Sequence, residues 1–404
     1  MKILIITENF YPERNAPSKR LFEHAKFWAK AGNKVTVLTG APNFPIGKVF
    51  NGYKNKLYQS EVIEKIKIIR TWTFIAKNEK FLLRTIDFAS FMITSFVFGL
   101  FQKKYDKIIV SSPQFLPVIS GYLLSKIKGS QFILEIRDLW PESIVDLGAM
   151  SEKNFFIKLF YKIAFFMYKN SDHIFVVTKS FKKYLINKGI NENKITVIEN
   201  GFNFEKSLTP NLDIDKIELK YALNRNQFIL SYIGTIGLAH GLETILETAK
   251  NMHDVVFLII GEGSEKTKLK QIVLDEEIKN VIFIDSLKWQ EIVNINQIIS
   301  AHIIHLKDIP LFETVIPSKI FESMALKKPI LAGLIGESLK IIEDSSSGLK
   351  VIPENYKSLK NKIDFLKKNP NKLDDFGMNG FELVNKKYNR QILAKKMIQK
   401  IQNI

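Results

Sequence analysis

Short apolar runs recur along this chain, separated by amphipathic stretches long enough for several helical turns, and the pattern runs through twice. In the first half the runs are Lys2–Ile6, Lys34–Leu38, Ile66–Thr71, Lys107–Ser111, Phe132–Ile136, His173–Val177 and Lys194–Ile198. Helical patterns lie between them, notably Ser18–Ala31, Phe115–Ile127 and Lys179–Lys188. Strands that are apolar on both faces must be covered on both faces, which demands a parallel sheet with helices on either side. The pattern restarts with Phe228–Gly234, Val255–Gly261, Val281–Ile284, Ala301–Leu306, Pro329–Leu331 and Gly348–Val351, and a helical tail, Tyr388–Ile404, closes the chain. A length of 404 residues also exceeds what one core usually holds. The predicted fold class is therefore α/β, with two doubly wound domains facing each other across a cleft. Their expected bounds are 1–205 and 206–385, with 386–404 as a helix packing back on the first domain. The polar, strand-poor stretch that follows Asn200-Gly201 and runs through Pro210 to Arg225 is the expected linker.

Composition excludes several chemistries. There are no cysteines, so disulfides and thiol catalysis are absent. The six histidines show no HExxH spacing, and His302 and His305, three apart in a strand-like run, point to opposite faces. Metal-free chemistry is expected. The opening strand breaks at Thr7-Glu8, too early for a signal peptide, so a cytoplasmic location is expected. A formal charge of +18 attracts polyanions, whether nucleic acid, anionic lipid or phosphorylated substrates. The lysines are scattered and no nucleic-acid motif accompanies them, so nucleic acid is not the expected partner.

In open parallel sheets, ligands bind outside the carboxyl ends of the strands. The segments to inspect are 8–18, 111–114, 137–143, 199–202, 235–241, 262–265 and 307–319. A dinucleotide site needs G-x-G-x-x-G after the first strand, and the first loop has no glycine before Lys19. Gly261-Glu262-Gly263 lacks the third glycine, and there is no P-loop. By contrast, Gly234 and Thr235 to Gly241 form a small-residue turn running into a helix at Leu242, a geometry suited to an anion. In Ile316–Ala325, Pro317 suits the first helical position, with Lys319 in the first turn and Glu322 one turn in. A cation in a first turn opposes the helix dipole, but serves a bound diphosphate. Glu322 can accept from hydroxyls such as those of a ribose.

The order of these motifs resembles the family 4 retaining glycosyltransferases. The matching stretches are Val197–Phe202, Tyr232–Gly237, His240–Glu243, Leu258–Gly263 and Pro317–Ile330. The resemblance implies the GT-B fold, two Rossmann-like domains, and transfer of a sugar from a UDP-sugar to a hydroxyl without a metal cofactor. Ile136–Ser143 is similar to a subgroup making bacterial surface polysaccharides (O-antigen, capsule), including fucosamine-type transferases of N-acetylated amino-deoxyhexoses. The chain departs from the family at Thr235 and His240, where an Arg and a Lys commonly grip the diphosphate, and at Thr314, which replaces the first of two signature glutamates. Asn15-Ala16 replaces a Gly-Gly pair. Losing one such donor costs about 3–4 kcal/mol of transition-state stabilisation. Lys319, with the helix starts at Ser318 and Leu242, is the expected substitute.

On this resemblance the catalytic candidates are Lys319, Glu322, Arg137 and Asp138. Donor-binding candidates are Asn15, Gly234, Thr235, Gly237, His240, Gly261, Glu262, Gly263, Ser318, Lys319 and Glu322, with loop 261–264 offering amides to the donor sugar. Arg137 and Asp138 fit equally an internal ion pair or a helix cap.

Two apolar stretches bear on the acceptor. Residues 155–169 read FFIKLFYKIAFFMYK, with Lys158, Lys162 and Lys169 on one stripe, a membrane-interface pattern that a buried helix with one wet edge would also show. Phe88–Phe101 is apolar over a stretch too short to span a bilayer. Together with the basic surface they imply peripheral contact with an anionic membrane at its inner face, where a polyprenyl-diphosphate-linked glycan would be the acceptor. A UDP-sugar 2-epimerase and a non-catalytic sugar-nucleotide-binding subunit are the alternative readings.

Overall fold

The computed structural model describes residues 1–13, 15–44, 47–75, 81–112, 116–146 and 150–404. Arg14, Gln114 and Phe115, within an expected loop or helix start, lie outside the described residues. The chain forms two compact units, Met1–Asn200 with Arg390–Ile404, and Gly201–Asn389.

The first unit holds β1 (Lys2–Ile6), β2 (Lys34–Thr39), β3 (Tyr58–Ile63), β4 (Ile66–Thr71), β5 (Lys107–Ser111), β6 (Gln131–Ile136), β7 (His173–Val176) and β8 (Ile195–Val197). Their order is β3-β4-β2-β1-β5-β6-β7-β8, parallel except for β3 against β4. In β1, Ile3 and Ile5 enter the core under α1 (Ala16–Lys30), while Leu4 and Ile6 enter the opposite core. That division is why the strand is apolar at every position. The opposite core is closed by α2 (Phe81–Leu100), α3 (Leu116–Lys128), α5 (Phe155–Asn170) and α6 (Lys179–Asn187), with the short α4 (Glu142–Asp146) at its edge. Nothing in the sequence signals β3. It joins β4 through Glu64-Lys65, both at positive φ (49° and 65°), a turn geometry usually marked by Asn-Gly.

The apolar part of α2 is longer than expected. Leu83–Leu100 is 18 residues at mean hydropathy 1.4, enough by length and composition to cross a membrane. In the structure α2 packs on α3, β2 and β4, with Phe91 fully buried.

The second unit begins with α7 (Ile214–Tyr221), inside the stretch expected to be a linker. Ile217 is buried with Ile229, Leu258 and Ile299, so this stretch belongs to the core of the second unit. Its strands are β9 (Phe228–Ile233), β10 (Val255–Ile260), β11 (Val281–Ile284), β12 (Ala301–His305), β13 (Ile330–Gly333) and β14 (Gly348–Val351), ordered β11-β10-β9-β12-β13-β14 and all parallel. Between them run α8 (Glu243–Lys250), α9 (Lys266–Asp275), α10 (Trp289–Ile295), α11 (Lys319–Ala325) and α12 (Gly336–Ser345), followed by α13 (Tyr356–Lys368) and α14 (Asn371–Lys387). The last helix, α15 (Arg390–Gln402), lies in the first unit against α1, where Trp28 Nε1 donates to Ala394 O at 3.0 Å.

Strand order reverses at β1/β5 in the first unit and at β9/β12 in the second. Open sheets leave a crevice at such switch points, beyond the carboxyl ends of the strands. The loops after β9 and β12 carry residues 234–241 and 306–318.

Candidate active site

At the β9/β12 switch point, Lys319 opens α11 and reaches back to β9. Its Nζ donates to Tyr232 Oη and lies 4.0 Å from the centre of the Tyr232 ring. Tyr232 Oη in turn donates to Thr235 O at 2.5 Å. The Lys319 stem passes Gly234, where a Cβ would fall 2.3 Å from Lys319 Cε. Burial pushes the Lys319 amine down to about 7, against the weaker pull of Glu322. No carboxylate forms an ion pair with it among the described residues. A cavity of about 20 Å³ behind it, bounded by Ile233, Trp289, His302 and Glu322, has room for little more than a water. On its other side the Lys319 stem borders Gly234, where loop 234–241 begins.

That loop and the next are locked backbone to backbone. Ile236 N donates to Glu262 O at 2.8 Å and Glu265 N to Ile236 O at 3.1 Å. A Cβ on Gly261 would sit 1.9 Å from Gly234 O, and one on Gly263 2.0 Å from Ile236 O. These two glycines let the loops touch. Gly261 N–H is taken by Ile284 O at 2.9 Å, so it is not an amide for a donor sugar. Glu262 also points elsewhere: it pairs with Lys266, which pairs with Asp285 as well. The amides of Thr235 and Gly237 find no acceptor among the described residues.

His240 packs edge-on to Tyr232 at 5.7 Å. Burial, then the charge of Lys319, hold it down to about 3, so it is neutral and cannot supply the cation expected there. His305 Nε2 accepts from Glu354 N at 2.9 Å, which makes Nδ1 the protonated nitrogen, donating to His240 O at 2.7 Å. His302 is bonded to Asn296 Oδ1 at 3.0 Å. Of the other buried histidines, His173 Nε2 bonds Thr196 Oγ1 at 2.9 Å, whereas neither ring nitrogen of His24 finds a hydrogen-bond partner among the described residues. The helix of Lys319 starts at that residue, two places later than Pro317 at the first position would put it, and Ser318 makes no side-chain cap. Glu322, one turn on, is half-buried beside the cavity. Thr314 Oγ1 donates to Leu311 O at 3.0 Å.

The remaining candidates belong to the first unit. Asn15 caps α1, its Oδ1 accepting from Ser18 N at 2.9 Å. Arg137 and Asp138 follow β6. Arg137 Nε donates to Ser111 Oγ at 2.8 Å and lies 3.9 Å from Glu135, while its buried Nη2 finds no acceptor. Asp138 accepts from Ser143 in the first turn of α4 and from the Leu139 amide ahead of it, and burial raises it to about 6. Glu135 is the centre of a buried network: it accepts from Arg20 Nε at 2.9 Å and Ser111 Oγ at 2.6 Å. Arg20 then reaches Glu199 O at 2.7 Å and Ile198 O at 2.8 Å.

A second carboxyl group of this unit was not among the candidates. Glu8, buried after β1, is raised well above the carboxylate range by burial and by Asp87, with which it hydrogen-bonds; burial brings Asp87 up to about 7. Glu13 Oε1 accepts from the amides of Asn43 and Phe44 at 2.8 and 2.9 Å, tying two loops together. The available signal was Asp87 itself, the single acid in an apolar helix.

α2, α3 and α5 adjoin on one face. A Cβ on Gly99 of α2 would lie 2.4 Å from Leu124 of α3, and Tyr122 of α3 meets Phe166 of α5 edge-on at 5.4 Å. Exposed on these helices are Ile93, Ile127, Phe155, Phe156 and Phe166, with Phe101 just beyond the end of α2. α3 and α5 carry lysines and no acids. An open hollow of about 420 Å³ is lined by Lys153, Lys158, Lys162, Tyr161 and Glu152.

Residues 18–206 match Glycosyltransferase Family 4, and residues 213–383 match Glycosyl transferases group 1. The chain is a glycosyltransferase with the GT-B fold, one such domain in each unit. It is similar to WcaI of Escherichia coli, described as a colanic acid biosynthesis glycosyl transferase, at 25% identity over 334 residues and 81% of each chain. CapM of Staphylococcus aureus, a capsular polysaccharide biosynthesis glycosyltransferase, is 24% identical over 257 residues, 60% of this chain and 63% of its own. HepE of Anabaena, solved in complex with UDP, covers 100% of both chains with a TM-score of 0.73 at 14% identity.

Proposed function

We propose that this enzyme moves a sugar from a UDP-sugar to a hydroxyl of a lipid-linked glycan, with retention at the anomeric carbon, in bacterial surface-polysaccharide assembly. The observation that carries the donor side is Lys319, a cation held at the β9/β12 switch point with no carboxylate paired to it among the described residues. HepE, with the same fold, binds UDP, which supports a uridine nucleotide here.

As the bond from sugar to phosphate breaks, negative charge builds on the diphosphate and positive charge on the sugar ring. Lys319 and the amides of Thr235 and Gly237 face that negative charge, so the step needs no metal ion. Neutral His240 carries its ring proton on Nδ1, which donates to His305 O at 3.4 Å, so it brings neither charge nor a free N–H to the diphosphate. The acceptor oxygen attacks from the face the phosphate leaves, and the departing phosphate takes the proton of the acceptor hydroxyl. Glu322 accepts from the ribose hydroxyls. In the first unit, the orphan Nη2 of Arg137 and the carboxyl of Asp138 are available to the acceptor. The likeness of Ile136–Ser143 to fucosamine-type transferases favours an N-acetylated amino-deoxyhexose as donor sugar.

The acceptor reading places the enzyme on the cytoplasmic side of the membrane, docked through α2, α3 and α5. Aromatic side chains there enter the interface and the lysine-lined hollow meets anionic headgroups. Phe155→Ser with Phe156→Ser should weaken binding to vesicles containing phosphatidylglycerol at least about tenfold, since burying each ring is worth about 1.5–3 kcal/mol. Co-sedimentation reads this, and unchanged binding would remove the docking face.

UDP release from a panel of UDP-sugars, including UDP-N-acetyl-fucosamine and UDP-N-acetyl-quinovosamine, with membrane extract as acceptor, tests the reaction. Release with one sugar that depends on the extract is expected. Conversion of a UDP-sugar without acceptor would favour the epimerase instead, and tight UDP binding without release from any sugar would favour a silent subunit.

A further inference from the structure

We propose that Tyr232 is the positioning residue of the donor site: it carries the Lys319 ammonium to the diphosphate position and holds it there without neutralising it. This rests on the donor reading of Lys319 above. The loop positions 235 and 240 offer a threonine and a neutral histidine, so the positive charge has to come from α11. Tyr232 is what brings it to the loop.

The hydrogen-bond directions are settled by the chemistry. The hydroxyl proton of Tyr232 goes to Thr235 O, so only oxygen lone pairs face Lys319, and the ammonium donates into them. The ring face below adds an attraction for the same cation. Tyr232 is itself 1% exposed and fixed within the β9 core, so its hydroxyl is a rigid anchor. Gly234 clears the path of the lysine stem.

A carboxylate in the place of Tyr232 would hold Lys319 more tightly, but would cancel its charge and repel an incoming diphosphate. A neutral phenol avoids both. The other ionisable groups around Lys319 are Glu322 on its own helix, His240 after β9 and His302 on β12; both histidines are neutral.

Tyr232→Phe keeps the ring and removes the acceptor. UDP affinity measured by calorimetry from pH 5.5 to 9 on wild type, Tyr232→Phe and Lys319→Ala tests the assignment. Loss of the acceptor lowers the pH at which the free enzyme gives up the Lys319 proton. The variant should bind UDP close to wild type at pH 5.5 and about tenfold more weakly at pH 8, a displacement of about one pH unit. Taking the ratio to wild type at each pH cancels the titration of the nucleotide itself. A ratio that stays constant across pH, or a variant equal to wild type throughout, overturns the role of Tyr232. If Lys319→Ala binds UDP as wild type does at every pH, the donor reading is what has failed. Tyr232→Met, which loses the ring as well, should bind more weakly than Tyr232→Phe at pH 8, and equal affinity would remove the ring from the assignment.

Discussion

Lys319→Ala is expected to lower kcat/KM for the donor by about a hundred- to a thousand-fold, the usual cost of losing one preorganised group facing a developing anion. The loss should be near that upper end, because the loop residues that share this load in related enzymes are Thr235 and a neutral His240 here. The fold should survive, since removing a half-buried amine relieves a desolvation cost and leaves the hydroxyl of Tyr232 bonded to Thr235 O. The same group sets a pH dependence. Burial brings the free amine down to about 7, and a bound diphosphate raises it again. Binding is therefore strongest where the amine is already charged and weakens as pH rises above about 7, whereas Lys319→Ala should show no such fall. Steady-state kinetics with a saturating acceptor, repeated across pH, reads both effects. A loss below about threefold would mean that Lys319 does not face the leaving group.

Glu135→Gln is expected to destabilise the first unit by about 3–5 kcal/mol, because it leaves two buried guanidinium groups without their carboxylate. Glu135 is fully buried. Burial alone would raise its carboxyl, but Arg20, Arg137 and Ser111 outweigh this and hold it below its ordinary value. The amide keeps the volume and loses the charge. For a domain of this size the melting temperature should fall by on the order of 10 °C. The effect should also reach the chain crossing into the second unit, since Arg20 holds the carbonyls of Ile198 and Glu199 just before Asn200. Two calorimetric transitions are expected if the units melt separately, and only the one belonging to the first unit should move. A shift within about 2 °C would show that the network contributes little.

The strands were legible in the sequence because a parallel, doubly covered sheet leaves an uninterrupted apolar run for each one, and Ile66–Thr71, Lys107–Ser111, Val281–Ile284 and Gly348–Val351 match their strands residue for residue. β3 was not legible, since it is an edge strand with alternate residues exposed, closed by a Glu-Lys turn without glycine. The loops of the donor site could be found from Gly234, Gly261, Gly263 and the Pro317–Ala325 run. What those glycines do could not. Gly261 and Gly263 turned out to serve loop-to-loop contact, and Glu262 an ion pair with Lys266.

Local pattern determined the two sheets, their helices and the stretches at the carboxyl ends of the strands, because apolar periodicity and chain-reversing residues act over a few positions. Tertiary structure alone decided which side chains meet. Lys319 and Tyr232 are 87 residues apart, and Arg20 and Glu135 are 115 apart. Each pair exists because strand order makes neighbours of distant segments: β9 beside β12 brings α11 to Tyr232, and β6 near β1 brings Glu135 to α1. Burial then sets the charge of each group, lowering the affinity of Lys319 for its proton and raising those of Glu8 and Asp87. Residue type tells which proton can move; only the packed surroundings decide at what pH.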